Sequence, residues 1–124
     1  PEAPITVHID PYRFMQVFSN LLSNAIRYTP EEGTVSVVVM LDEVEVVIEV
    51  RDTGPGIAKE HQKQLFQPFF KADHDTSGAG LGLSISQEIV HAHGGTIAVE
   101  SDVGQGTIFI VRLTHEALAE QAVE

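Results

Sequence analysis

The longest pattern of apolar positions in the chain lies at residues 10–30 and predicts an amphipathic α-helix. Its apolar residues recur at steps of three and four, which places them on one helix face that we expect to form core. These residues are Phe14, Val17, Phe18, Leu21, Leu22, Ala25 and Ile26. Asp10 is a suitable N-cap, Pro11 suits the first helical position, and Thr29-Pro30 is expected to end the helix.

A polar stripe lies on the other side of this predicted helix. Asn20, Asn24 and Arg27 are spaced at i, i+4 and i+7, so their side chains follow one another along one line. Asn is unfavourable inside a helix because its side-chain amide competes for backbone hydrogen bonds. The stripe therefore indicates either a solvated surface or a polar site.

Alternating and β-branched runs predict strands, and two further helical patterns follow. The predicted strands are 5–9, 34–41, 44–51, 96–100 and 107–113, and the predicted helices are 11–28, 58–65 and 82–93. Short polar or glycine-containing turns join the strands into two hairpins. These elements predict an α/β fold, a two-layer sandwich in which a mixed, mostly antiparallel sheet carries its helices on one face.

Two glycine-containing segments are candidates for contact with a ligand. Asp52 and the turn Gly54-Pro55-Gly56 follow a predicted strand, and glycines allow a ligand to approach the backbone closely. Residues 78–83 open a helix whose first N–H groups could bind a phosphate, although such a segment can also be an ordinary loop. A polar loop precedes it and it lacks a Lys-Ser/Thr pair, which excludes the Rossmann and P-loop motifs.

Two histidines, His91 and His93, come at the end of the last predicted helix. They could form a metal-binding pair. Their place immediately before Gly94-Gly95 favours the alternative, in which they interact with the negative end of the helix dipole.

Length and composition favour one domain of about residues 1–114, followed by an acidic, Ala-rich tail at 115–124. The chain has 124 residues, is 43% hydrophobic and contains no Cys, which excludes disulfides and thiolate metal sites. Acidic residues outnumber basic ones by 18 to 7, and the net charge of −11 disfavours nucleic acid or an anionic membrane as partner. No apolar run approaches the roughly 18 residues of a membrane span, so a soluble domain is expected.

Five motifs occur along the chain in a characteristic order. They are an Asn-x-x-x-Asn helix at 20–30, Asp-x-Gly-x-Gly at 52–57, Phe-x-Pro-Phe at 66–69, Gly-x-Gly-Leu-Gly at 78–83 and Gly-x-Gly-Thr at 104–107. This order resembles the catalytic, ATP-binding domain of bacterial sensor histidine kinases. That domain belongs to the GHKL superfamily with DNA gyrase, the heat-shock chaperone ATPases and the mismatch-repair ATPases. The resemblance covers nearly the whole chain and implies the Bergerat type of ATP-binding fold.

The resemblance implies a role for each matching residue in the recognition of Mg²⁺ and of the base. Asn24 is expected to be the Mg²⁺ ligand through its amide oxygen, together with oxygens of the triphosphate and water. Asp52 is expected to accept a hydrogen bond from the adenine N6 amine, a group that guanine lacks. Gly54 and Gly56 are implied to let the backbone approach the purine, and Ile57 and Thr107 are implied to belong to the ATP-binding site.

The phosphates are expected to contact a second group of residues. Arg27 and Tyr28 match positions that contact the phosphates and flank the nucleotide, and Lys71 matches a lid cation that reaches the γ-phosphate. Gly80 and Gly82, with the N–H groups of Leu81 and Leu83, are expected to cradle the triphosphate when the lid closes. The segment 72–77 has no Arg, so Lys71 is the cation expected there.

Asn20 is also implied to belong to the ATP-binding site, and it separates the branches of this superfamily. In the ATPase branches, the residue one turn before the metal-binding Asn is a Glu that activates water, whereas an amide cannot act as a base. The resemblance therefore implies slow hydrolysis and transfer of the γ-phosphoryl group to a histidine. That histidine would lie on a separate dimerisation and phosphoacceptor domain upstream, which is absent from this chain, so the chain alone is not expected to autophosphorylate.

The resemblance also implies a biological setting. We expect a two-component system in which a homodimeric parent kinase, cytoplasmic or anchored in the inner membrane, phosphorylates a response regulator, while the isolated, cytoplasmic domain is monomeric. Two alternatives stay open. One is a GHKL-type serine kinase, which Tyr28-Thr29-Pro30 and the Phe-x-Pro-Phe motif disfavour. The other is a nucleotide-binding regulatory module without phosphotransfer.

Overall fold

The computed structural model describes residues 9–41, 45–68 and 82–114, which contain three helices and four strands. The helices are α1 (Pro11–Tyr28), α2 (Lys59–Gln62) and α3 (Gly82–Ala92), and the strands are β1 (Val35–Leu41), β2 (Glu45–Asp52), β3 (Thr96–Asp102) and β4 (Gly106–Thr114). The predicted strand at 5–9 lies almost wholly outside the described residues, as do the tail at 115–124 and the segment 69–81. No helix among the described residues is long and apolar enough to cross a bilayer.

The four described strands form one antiparallel sheet in the order β1-β2-β4-β3. The predicted hairpins are confirmed as β1-β2 and β3-β4. The central pair, β2 and β4, joins the two hairpins, although β4 is the last strand of the described chain. The sheet therefore depends on contacts between distant parts of the sequence.

The helices cover one face of the sheet, which confirms the two-layer α/β sandwich. On that face, Val50 lies opposite Phe109, and Ile48 lies opposite Val111. One hydrophobic cluster joins this face to α1 and α3. Its buried members are Phe14, Val17, Leu21, Ala25, Val50, Leu65, Ile89, Val90, Ile97, Phe109, Val111 and Leu113.

The ends of α1 agree with the sequence prediction. The Asp10 carboxylate accepts hydrogen bonds from the N–H groups of Tyr12 and Arg13, at 3.0 and 3.2 Å. Pro11 is the first helical residue, and the Thr29 N–H donates to the Ala25 carbonyl at the other end, before Pro30. The helix thus begins and ends where its capping residues predict.

The prediction that Ile26 belongs to the core is wrong, because its side chain is 67% exposed. Among the described residues, the helices leave the edge strand β1 largely uncovered. Val37 and Val39 lie on the helix-facing side, opposite Val50 and Ile48, yet they are 52% and 58% exposed. The apolar stripe on α1 is wider than the surface that β2 and α3 offer to it, and Ile26 lies at its uncovered margin.

The helix predicted at 58–65 is shorter than expected and consists of Lys59–Gln62. Beyond it the chain continues in turns, with i→i+3 hydrogen bonds from Gln64 to His61 and from Gln67 to Gln64. These turns bury Leu65 and bring the Phe66 ring edge-on to Phe109, with 6.4 Å between centroids. Packing of these two side chains outweighs the local helical pattern, and Pro68 prevents its continuation.

His93 connects the end of α3 to the start of α1. Its Nε2 accepts a hydrogen bond from the Asp10 N–H at 3.1 Å, so the ring proton is on Nδ1, which donates to the Ile89 carbonyl at 2.9 Å. The ring stands edge-on to Phe14 at 4.7 Å between centroids. His93 therefore caps its own helix, as one of the two sequence alternatives proposed, and also joins two helices.

Replacing His93 by Phe should lower the free energy of unfolding by about 1–3 kcal/mol, since each hydrogen bond contributes about 0.5–1.5 kcal/mol. The substitution keeps a ring against Phe14 and removes both hydrogen bonds. Urea unfolding monitored by circular dichroism measures the change. His91→Phe, made at the exposed neighbouring histidine, is the matched control and should unfold near the wild-type midpoint. Equal midpoints for the two variants would contradict the role given to His93.

Candidate functional site

The helix-facing side of the sheet changes from apolar to polar at one end. The last row across the four strands contains Val35, Asp52, Thr107 and Ser101, because each lies opposite the next in the strand register. The row before it, Val37, Val50, Phe109 and Val99, is entirely apolar. Three polar side chains therefore lie side by side where the sheet meets the loop that follows β2.

Asp52 is held in a defined orientation at this end of the sheet. Its Oδ1 accepts a hydrogen bond from the Gly54 N–H at 2.9 Å, which folds the loop back over the end of β2. Gly54 is buried, and a Cβ there would lie 2.9 Å from the Tyr28 carbonyl oxygen at the end of α1. The carboxylate therefore lies close to the last turn of α1, with the direction of its second oxygen fixed.

Two loops interlock beneath this carboxylate, each through a glycine with positive φ. A Cβ at Gly56 (φ +78°) would lie 2.2 Å from the Asp102 carbonyl oxygen, and one at Gly106 (φ +93°) would lie 2.1 Å from that of Asp52. The Gly104 N–H also donates to the Pro55 carbonyl at 2.8 Å. Only glycine permits both approaches, so the loop after β2 and the β3-β4 turn form one unit.

A buried hydrogen-bond network supports this unit from below. The Ser101 hydroxyl contacts the Ile57 N–H, the Gly106 carbonyl and the Thr107 hydroxyl, at 2.8, 2.7 and 2.9 Å. Gln62 of α2 donates from Nε2 to the carbonyls of Ile57 and Ser101, both at 2.7 Å. The position of Ile57 is therefore set by side chains of α2 and β3.

The polar stripe of α1 faces the first turn of α3. Asn20 is half-buried, and its Nδ2 donates to the Gly82 carbonyl at 3.1 Å and to the Ser86 Oγ at 3.3 Å. The Ser86 hydroxyl, which is fully buried, donates to the same Gly82 carbonyl at 2.8 Å. Asn20 thus joins the two helices.

The other members of the stripe lie nearer the C-terminal end of α1. Asn24 is half-buried, and no residue among the described ranges hydrogen-bonds its side chain. Arg27 and Tyr28 are exposed, with the guanidinium carbon 5.7 Å from the centre of the Tyr28 ring. The C-terminal part of α1, whose last turn approaches Gly54, therefore offers an amide oxygen, a cation and an aromatic ring.

Comparison with known proteins gives consistent results. Residues 9–117 match the family described as histidine kinase-, DNA gyrase B-, and HSP90-like ATPase. The chain belongs to this family.

Three kinases illustrate the similarity, which in each case covers most of this chain. The circadian input-output histidine kinase CikA of Synechococcus elongatus is 42% identical over 115 residues, which are 90% of this chain and 15% of CikA. The mycobacterial sensor histidine kinase MprB has a TM-score of 0.79 at 29% identity, over 87% of this chain and 76% of that structure. Full-length ShkA in complex with AMPPNP has a TM-score of 0.78 at 34% identity, over 90% of this chain and 23% of that structure.

Membership in the histidine kinase-like ATPase family confirms what the five motifs and their order predicted. The chain corresponds to the catalytic ATPase part of such kinases and spans only 15% of the length of CikA. Family membership also implies ATP binding. The solved histidine kinase structures share the sheet with helices on one face.

The structure brings most of the predicted site residues of this ATPase domain into two groups. Asp52, Gly54, Gly56, Ile57 and Thr107 form the group at the end of the sheet, next to Tyr28. Asn20 and Gly82 form the group between α1 and α3, and Leu83 follows Gly82 and packs half-buried against the core. Lys71, Gly80 and Leu81 lie outside the described residues.

Sequence reasoning missed three residues that position this site: Ser101, Gln62 and Ser86. Two of them left a detectable signal. Ser101 continues the inward-facing alternation of Ile97 and Val99, and Ser86 lies three residues from both Leu83 and Ile89 on the apolar face of α3. A hydroxyl in an apolar register indicates a buried hydrogen bond. Gln62 left none, because it lies in a polar, charged stretch, and Ser101, one of its two partners, is 39 residues away in sequence.

Proposed function

We propose that the chain binds Mg²⁺-ATP and donates the γ-phosphoryl group to a histidine on a separate phosphoacceptor domain. The observation that carries the proposal is the Asp52 carboxylate, fixed by the Gly54 N–H at the polar end of the sheet and next to the last turn of α1. Relatives and neighbours that are named histidine kinases support it. ShkA, whose structure contains AMPPNP, supports a nucleotide as ligand.

Recognition of adenine is assigned to Asp52. One carboxylate oxygen already accepts from the Gly54 N–H, which leaves the second free to accept from the exocyclic N6 amine. Guanine and hypoxanthine carry a carbonyl oxygen at that position and would meet the carboxylate with an unfavourable pairing. Gly54, Gly56 and Ile57 provide the loop against which the purine lies.

The Asn24 amide oxygen is suited to hold Mg²⁺ together with the phosphates. It is a neutral oxygen donor without a protein partner among the described residues, and hard cations prefer oxygen ligands. The described residues contain no cluster of three or more His, Asp, Glu or Cys that could hold a metal without the nucleotide. When bound, Mg²⁺ neutralises charge on the phosphates.

The remaining contacts with the phosphates are assigned to cations and backbone N–H groups. Arg27, at the exposed end of α1, and Lys71 would position the β- and γ-phosphates. Gly80, Leu81, Gly82 and Leu83 would contribute N–H groups at the start of α3, where the helix dipole favours an anion. A domain with a net charge of −11 would thus bind ATP through a few local groups.

Asn20 favours phosphoryl transfer over hydrolysis. Its Nδ2 is committed to Gly82 and Ser86, and an amide has no basic group that could activate water. The γ-phosphorus would instead be attacked in line by the acceptor imidazole nitrogen, while the bond to the β-γ bridging oxygen breaks and ADP leaves. The chain would provide positioning and charge stabilisation for this step.

The proposed setting is a two-component system. The acceptor histidine would lie upstream in a homodimeric parent kinase, and a response regulator would receive the phosphoryl group next. The domain would work in the cytoplasm as a monomeric unit of that parent.

Calorimetric titration with ATP, ADP and GTP, with and without Mg²⁺, tests the binding part of this proposal. We expect adenine-selective binding that Mg²⁺ strengthens. The chain is then incubated with γ-labelled ATP, alone and with a histidine-bearing helical hairpin of a sensor kinase added in trans. Negligible hydrolysis by the chain alone and label on the hairpin are the expected results.

Two outcomes would contradict the proposal in different ways. Rapid release of labelled phosphate without the hairpin would place the chain among the hydrolysing members of the family and overturn the argument from Asn20. Tight ATP binding without label on the hairpin would indicate a regulatory nucleotide-binding module.

A further inference from the structure

The Ser101 side chain is at the centre of the buried hydrogen-bond network that supports the proposed adenine-binding loop, Gly54–Ile57. It is the last inward-facing residue of β3 and is only 8% exposed. Its hydroxyl oxygen lies within 2.9 Å of three groups on two different loops: the Ile57 N–H, the Gly106 carbonyl and the Thr107 hydroxyl. One side chain therefore connects the loop after β2 to the β3-β4 turn.

The hydrogen-bonding capacity of Ser101 determines the direction of each bond. A serine hydroxyl has one proton and two lone pairs. The Gly106 carbonyl can only accept, so it takes the proton, and the Ile57 N–H can only donate, so it takes one lone pair. The third contact, with Thr107, must then use the second lone pair, and the Thr107 hydroxyl donates to Ser101.

This assignment determines what Thr107 offers to a ligand. Thr107 is 5% exposed and lies directly opposite Asp52 in the sheet, on the same face. Because its only hydroxyl proton points to Ser101, it presents lone pairs alone on its other side. Asp52 and Thr107 together are then an all-acceptor edge, which suits an exocyclic amine and disfavours a carbonyl oxygen.

We propose that Ser101 is a positioning residue for adenine selectivity: it fixes the Gly54–Ile57 loop and commits the Thr107 proton, so that the base meets only acceptors. This inference rests on the proposed function of the site. Gln62 also connects this loop to β3, since its Nε2 donates hydrogen bonds to the carbonyls of Ile57 and Ser101 at 2.7 Å each. The nucleotide-binding loop is thus supported on both its N–H and its carbonyl side.

Ser101→Ala removes all three hydroxyl contacts and releases the Thr107 proton, and calorimetric titration of ATP and ITP measures the result. ITP carries hypoxanthine, which has a carbonyl oxygen in place of the N6 amine. We expect ATP affinity to fall about 10-fold, in line with the loss of buried hydrogen bonds. We expect ITP affinity to fall less, because the released Thr107 proton can now donate to that oxygen. The ratio of ATP to ITP affinity should therefore decrease by about 3-fold or more.

The ratio of ATP to ITP affinity distinguishes a positioning role of Ser101 from a general loss of stability. His93→Phe, at the opposite end of α1 from Tyr28, is the control, because it should reduce stability without changing either affinity. Ser101→Cys replaces the hydroxyl by a somewhat larger thiol, which is a weaker donor and acceptor, and it should give an intermediate ratio. If Ser101→Ala does not fold, the decrease in the ratio measured on Ser101→Cys decides the question.

The outcomes also separate this inference from the proposed function. If the wild-type chain binds ATP in preference to ITP and the Ser101 variants keep the wild-type ratio, the role of Ser101 is wrong and the proposed function stands. If the wild-type chain binds neither nucleotide, the proposed function itself fails, and this inference fails with it.

Discussion

Replacing Asn24 by Ala is expected to abolish the Mg²⁺ dependence of ATP binding and phosphoryl transfer to an added histidine hairpin. The Asn24 side chain is half-buried and makes no hydrogen bond to a described residue, so the fold loses little, and Ala is favourable in a helix. A metal ion contributes several kcal/mol to charge stabilisation in such a transfer. We therefore expect the transfer rate to fall by roughly 100-fold or more.

The decisive measurement is the ratio of ATP affinities in Mg²⁺ and in EDTA. Wild-type chain should bind more tightly in Mg²⁺, whereas Asn24→Ala should bind about equally in both. Ser23→Ala, at the exposed neighbouring position, changes the same helix and should keep the wild-type ratio. An Asn24→Ala chain that retains the full effect of Mg²⁺ would show that another group holds the metal.

Replacing Asp52 by Asn should reduce ATP affinity by about 1–3 kcal/mol, which corresponds to roughly 5- to 150-fold. The Gly54 N–H determines how the new amide side chain is oriented. It requires an oxygen at the Oδ1 position, so the new NH₂ group must take the place of the second oxygen. A donor would then face the N6 amine of adenine, and both donors would lose their partner. ITP, with its carbonyl oxygen, should lose less affinity or gain some.

Titration of the Asp52→Asn variant with ATP and ITP measures both affinities. Glu100→Gln is the control with the same change of charge. Glu100 is exposed on the other face of the sheet, opposite Ile108, and its replacement should leave both affinities unchanged. If Asp52→Asn bound ATP as tightly as the wild-type chain does, the assignment of the adenine contact would be wrong.

Much of this fold could be predicted because local chemistry and tertiary packing agree. The limits of α1 follow from Asp10, Pro11 and Pro30, whose effects act within one helical turn. Both hairpins follow from alternating apolar residues and from the turn at Gly104-Gln105-Gly106. In these elements, each short stretch of sequence favours the structure that the whole domain requires.

Prediction was wrong where packing between distant elements decides the structure. Ile26 has the periodicity of a core residue, but burial would require a helix layer extending over β1, and α1 packs on β2 and α3 instead. Residues 63–65 belong to the predicted helix at 58–65, but they leave the helix to bury Leu65 and to set the following Phe66 against Phe109. No local pattern contains that information.

The candidate site likewise contains some residues that the local sequence predicts and others that it does not. Asp52, Gly54 and Gly56 could be found because one short motif contains them all. The partners of Asn20 could not, since Gly82 and Ser86 follow it by 62 and 66 residues. Motif reading thus identified the groups expected to touch the nucleotide and missed several groups that hold them in place.

The interlocked loops have a consequence for how the domain acquires its activity during synthesis. The loop after β2 rests on the β3-β4 turn through Gly56 and Gly106, and β2 itself pairs with β4, which ends at Thr114. A nascent chain that has emerged only as far as α3 therefore contains the complete motif at 52–57 but lacks β4 and the β3-β4 turn, which support it. Competence to bind nucleotide should appear abruptly, when the final hairpin closes. The slow step should be this long-range pairing, whose loop-closure entropy makes it costlier than any local turn.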